Sequence, residues 1–139
     1  MTGDVIPFRE KAPDNEKITI NLGFVDLGRL DLLVRDGFYS NRTDFIRTAI
    51  RNQLAAEADV VSKSIQRQTL ELGLRDYTRA DLEAVKLAGE QLHIKVVGLV
   101  RISPDVTSEL VLATIGSLTI LGALQASPSI KTALASRIH

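Results

Sequence analysis

The chain has 139 residues, 45% of them hydrophobic, which is enough for one packed domain or two small ones. Seventeen basic residues balance seventeen acidic ones, so net charge supplies no general attraction for nucleic acid, and any such binding has to come from local arrangement. The absence of cysteine excludes disulfides, thiolate chemistry, iron–sulfur clusters and cysteine zinc sites, and His93 and His139 lie too far apart in sequence to read as a metal site.

Residues 1–16 carry Gly3, Pro7, Pro13 and mixed charges without periodicity and read as a flexible arm, with Arg9 and Lys11 as solvated charges. They contain no apolar run of signal-peptide length, and every longer apolar run in the chain is broken by a charge, Gly or Pro. A cytoplasmic protein with no membrane association is therefore expected. From Lys17 a strict alternation sets in: Ile18, Ile20 and Leu22 point one way, Lys17, Thr19 and Asn21 the other, and Gly23 ends it. This predicts a short, half-buried strand.

Between Val25 and Asp36, Leu27, Leu30, Leu33 and Val34 fall at helical spacing, with Gly37 just beyond the expected C-terminus. A second helix is predicted to open at Asn41-Arg42-Thr43-Asp44, an N-cap type followed three residues later by a carboxylate that can reach back. Phe45, Ile46, Ala49, Ile50 and Leu54 form its apolar face, and it should end between Ala56 and Lys63.

The tail is an internal repeat. Val96 to Val106 matches Ile120 to Ile130 at an offset of about 24 residues, with Gly98 and Gly122 in corresponding places and a helical stretch after each copy. A weaker first copy has Leu70, Leu72 and Leu74 alternating around Gly73, before Thr78-Arg79-Ala80-Asp81 opens a helix. Ser103-Pro104 and Ser127-Pro128 read as helix starts, Ser at the N-cap and Pro at the first helical position. Asp105 and Glu109 then become first-turn carboxylates favoured by the helix dipole, not an acid–base pair. Three head-to-tail β-α units predict parallel strands. Val96, Val100, Ile120 and Leu124 should line one face of the sheet, and Val97, Leu99, Leu121 and Ala123 the other. One face packs on the domain's own helices and the other needs a cover, for which a second subunit is the most economical choice. Gly98 and Gly122 are isolated glycines inside strands, where close approach of neighbouring backbone explains them better than phosphate binding. No nucleophile–base set stands out, so no enzyme, metal or cofactor is expected, and His93 reads as an ordinary residue at a helix-to-strand junction.

A strand, a helix, a Gly-containing turn and a second helix opened by Asn-Arg-Thr-Asp, all within Lys17 to Leu54, resemble the ribbon-helix-helix family of bacterial regulators, the Arc, MetJ and CopG type. The fold class expected on this basis is α+β: a dimeric ribbon-helix-helix at 17–57, followed at 66–139 by the small three-unit β-α repeat domain with parallel strands. A lone strand of this length lacks partners for its backbone, and pairing with the same strand of a twin solves that problem. The resulting antiparallel ribbon is about as wide as the major groove of double-stranded DNA admits.

The resemblance implies base-reading roles for Lys17, Thr19 and Asn21: lysine can donate to the guanine edge, asparagine can pair with adenine, and threonine can serve either a hydroxyl or a methyl contact. The helix start at Asn41, Arg42 and Thr43, with its free N–H groups and positive dipole end, is implied to hold a DNA phosphate. Arg42 is the foremost phosphate ligand, Asn41 chiefly a cap, and Arg47 and Arg51 solvated charges. Gly37 and Tyr39 should shape the turn. The expected function is a sequence-specific transcriptional regulator, dimeric, with tetramers or higher assemblies formed through the tail. The alternatives are an antitoxin-like protein whose tail binds a protein partner, and a scaffold that uses the ribbon only to dimerise. Nickel sensing is not expected, because the tail lacks the histidines and cysteine of the nickel-responsive members.

Overall fold

The computed structural model describes residues 15–139, so the arm at 1–16 lies almost wholly outside the described residues. The chain divides into two compact units, Asn15–Ser64 and Ile65–His139 within the described residues.

In the first unit, residues 16–23 form neither helix nor strand in the single chain. Two helices follow, α1 (Phe24–Arg35) and α2 (Arg42–Ala56). Gly37 has φ +85°, and the amides of Gly37 and Phe38 donate back to Val34 and Leu33. This left-handed closure of α1 is the role its sequence position predicts. Helix α2 is followed after Glu57 by a separate helix, α3 (Ala58–Gln68), so residues 58–65, expected to join the two domains, are helical, and the boundary between the units falls inside α3. Thr69, just past α3, has φ +57°, the only positive φ among the described residues other than glycine.

The second unit is a three-stranded parallel sheet in the order β1 (Glu71–Tyr77), β2 (Leu92–Ile102), β3 (Ile115–Gln125). Helices α4 (Arg79–Leu87) and α5 (Ser108–Thr114) connect the strands, and α6 (Pro128–Leu134) follows the last one. The three β-α units are therefore present. They are longer than the sequence match implied, because β2 and β3 begin four or five residues before the matching segments. The Thr78–Asp81 capping box opens α4 as expected, each residue accepting the other's backbone N–H. Ser127 caps α6 with Pro128 in its first turn.

The corresponding expectation for Ser103-Pro104 is wrong. Those residues form a turn, closed by the Val106 amide donating to the Ser103 carbonyl, and α5 begins later with Thr107 as its cap. Proline's fixed φ suits the second position of such a turn as well as the first of a helix. Asp105 belongs to this turn, while Glu109 does lie in the first turn of α5.

Gly73, Gly98 and Gly122 stand side by side across the sheet, all at positive φ. A Cβ on Gly98 would overlap the Gly73 carbonyl, and one on Gly122 the Gly98 carbonyl. The repeat keeps glycine here because the strands can follow this backbone path side by side only without side chains.

On one face of the sheet, Ile94, Val96, Val100, Ile102 and Leu118 pack with Leu82 of α4, Leu110 and Val111 of α5, and Ile130 and Leu134 of α6 in a continuous core. Arg137 donates to the carbonyls of Leu112 and Ile115, both at 2.7 Å, satisfying groups that the short helix α5 leaves open. On the other face, Leu72 and Leu121 share a register row and are 74% and 55% exposed.

Candidate nucleic-acid interface

The first unit offers two sets of predicted contacts. Lys17, Thr19 and Asn21 are all exposed, as are Ile18, Ile20 and Leu22, the alternate residues expected to be buried. Beyond them Phe24 is 91% exposed, and Leu32, Ile50 and Leu54 on the helices are also exposed. Among the described residues of this unit, Leu30 is the only buried apolar side chain. Surfaces of this kind belong against another apolar surface.

At the second helix, the Asn41 side chain accepts the Asp44 amide at 2.8 Å. Asp44 reaches back to accept the Ser40 amide at 2.9 Å, one residue earlier than a capping box on Asn41 itself requires. These two bonds fix the helix start and leave Asn41, Arg42 and Thr43 at its exposed tip. Tyr39 meets Phe45 edge to face at 5.0 Å between ring centroids, holding the turn against the helix.

Arg42 is occupied in a way the sequence did not announce. Its Nε and one terminal nitrogen each donate to a carboxylate oxygen of Asp31 on α1, at 2.8 Å. That hydrogen-bonded guanidinium holds the Asp31 carboxyl below its ordinary 3.8, and Asp31 in turn raises the pKa of Arg42. The pair is exposed, and a fork-shaped guanidinium binds a phosphate with the same geometry as a carboxylate. Asp31 thus stands where an anion would stand, eleven residues away in sequence and with no local motif to signal it. Among the described residues, Lys17, Arg47 and Arg51 have no carboxylate at ion-pair distance.

In the second unit, His93 lies within β2 rather than at a junction, its Nδ1 2.8 Å from the Ser117 hydroxyl. No cluster of metal-ligating side chains occurs among the described residues, and no helix there is long and apolar enough to cross a membrane.

A family model described as the ribbon-helix-helix transcriptional regulator family matches residues 13–131. The match spans both units, so the repeat domain is part of what the family model describes. No curated protein and no solved structure matches the chain.

Proposed function

Because the chain belongs to the ribbon-helix-helix transcriptional regulator family, we propose that it is a sequence-specific DNA-binding regulator acting as a homodimer. Residues Lys17 to Gly23 of two protomers form an antiparallel ribbon that enters the major groove, with Lys17, Thr19 and Asn21 toward the bases. Ile18, Ile20 and Leu22 then bury against the helices of both chains. The observation that carries this reading is the first unit's burial: Leu30 alone is buried, while alternate residues of the extended segment and one face of each helix stay exposed. A second copy turns that set into a core.

Asn41, Arg42 and Thr43 hold the DNA backbone at the start of α2. Arg42 exchanges the Asp31 carboxylate for a phosphate, trading one exposed anion for another. The repeat domain joins dimers into tetramers or larger assemblies. A folded core in the tail favours this over the antitoxin-like reading, in which the tail is a short segment that orders on a partner. The neutral net charge keeps a scaffold as the reading to exclude.

The test is equilibrium binding of the full-length chain to selected and to random DNA across a range of salt. Affinity should fall with salt on both. Asn21→Ala should cost about 1–3 kcal/mol on the selected site alone, and Arg42→Ala should weaken both and reduce the salt slope by about one phosphate's share. Absence of salt-dependent binding contradicts the reading and favours the scaffold.

A further inference from the structure

The sheet of the repeat domain has two edges, β1 and β3, and two internal seams built alike. At each seam the strands run parallel with glycine opposite glycine, Gly73 to Gly98 and Gly98 to Gly122. The later glycine of each pair turns its missing Cβ toward the earlier one's carbonyl, which a side chain would overlap. Gly73 shares this backbone, with φ +133° beside +141° and +127° at the other two. Yet a Cβ on Gly73 would meet nothing within 4 Å among the described residues. The β1 edge thus keeps, unfilled, the place where a preceding strand would set its glycine carbonyl.

The β3 edge is complementary. Ile138 stands parallel to Leu118, and the Leu118 carbonyl accepts the His139 amide at 2.8 Å, so the outer side of β3 already receives chain running in the sense of the sheet. From Ile120 onward that side has no partner strand among the described residues. Resting on the reading that the tail joins dimers, we propose that the β3 edge of one copy pairs in parallel with the β1 edge of another. Gly122 then lies beside the partner's Gly73, and the sheet continues from chain to chain in the register of its own repeat.

That register sets Ile120 beside the partner's Glu71, Leu121 beside the partner's Leu72 and Leu124 beside the partner's Arg75. Each pairing repeats one inside the chain, where Glu71 lies beside Val96, Leu72 beside Val97 and Arg75 beside Val100. Glu71 and Arg75 are themselves ion-paired at 3.2 Å, so they bring no unbalanced charge to the seam. Edge strands present rows of backbone N–H and C=O groups, and a strand added in register bonds to them. Because the contact joins different surfaces of the two copies, it propagates past a pair, as a ring or a filament.

The chain has no cysteine, so introduced cysteines report the seam without background. Side-by-side residues on neighbouring strands lie about 5 Å apart, within disulfide reach. Leu72 and Leu121 of one chain have β2 between them, which sets them about 10 Å apart, beyond the disulfide limit of about 7 Å. Full-length Leu72→Cys and Leu121→Cys chains, mixed and oxidised, should therefore link to each other, while each alone stays unlinked. Asp76→Cys mixed with Leu121→Cys should not link, being four residues out of register. Leu72 and Leu121 are exposed and outside the core, and thermal melts check that the variants stay folded. Sedimentation of the wild-type chain should show species larger than a dimer at micromolar concentration. A chain that stays dimeric overturns the joining role and the seam together. Larger assemblies without the mixed disulfide leave the joining role standing and overturn the edge pairing. Linking of Leu121→Cys to itself as readily as to Leu72→Cys means that copies meet face to face, and overturns it too.

Discussion

The two units of this chain are built from similar proportions of apolar residues and use them in opposite ways. The repeat domain buries Leu82 of α4, Val96 and Val100 of β2, Leu118 of β3 and Leu134 of α6 within a single chain. The first unit buries Leu30 and leaves Ile18, Ile20, Phe24 and Leu54 exposed. A parallel β-α repeat closes its core because each helix returns the chain across the same face of the sheet. Two helices and a segment that forms no strand in its own chain leave most of their apolar residues exposed. The difference separates stability that is intrinsic from stability that depends on concentration: the second unit closes its core within the chain, and on the proposed reading the first closes its core only in the pair.

Substitution in each unit sharpens that contrast. Leu118→Ala, at a fully buried position, should destabilise the repeat domain by about 2–5 kcal/mol, and by the same amount at every protein concentration. Melts of this variant that shift with dilution contradict a self-contained core. Ile20→Ala should act through association: its effect on DNA binding and on melting of α1 and α2 should be largest in dilute protein and shrink as concentration rises. An effect independent of concentration means that the first unit is stable alone.

Much of this organisation is legible in the sequence wherever one residue type has one local use. Gly37 ends α1, Asn41 caps α2, the Thr78–Asp81 pair opens α4, and the aligned glycines of the repeat sit in register. Legibility fails where a signal serves two structures. Ser103-Pro104 fits a turn as well as a helix start, and the turn won. It fails again where the contact is remote: nothing near Arg42 announces Asp31. The strands' first halves, Leu92 to Lys95 and Ile115 to Thr119, fall outside the matched segments of the repeat and were invisible to that comparison. The segment before α1 is the converse case: its alternation predicts a strand, and residues 16–23 form none in the single chain.

Two smaller effects test details at the ends of the helices. Thr69 holds a left-handed conformation that is costly for a β-branched residue, so Thr69→Gly should raise stability by about 1 kcal/mol, read from denaturant midpoints at constant m-value. Loss of stability would mean that the threonine side chain contributes more than its backbone strain costs. The smallest effect is the pH response of the Asp31–Arg42 pair. Asp31 has a lowered pKa when folded, so the pair's contribution is fully present above the ordinary carboxylate value of 3.8 and is lost as pH falls through the lower folded value. Asp31→Asn should remove this acid dependence and, by releasing Arg42, tighten binding to DNA of any sequence. Weaker binding by that variant means that Asp31 positions Arg42 for phosphate instead of competing with it.

The ribbon itself is open to direct measurement by amide hydrogen exchange of the full-length chain at concentrations where it is dimeric. In a two-stranded antiparallel ribbon alternate residues exchange hydrogen bonds with the partner while those between them point outward. The account predicts alternating protection from Lys17 to Leu22, lost on dilution together with protection of α1 and α2. Uniformly fast exchange across those residues in the dimer would contradict it.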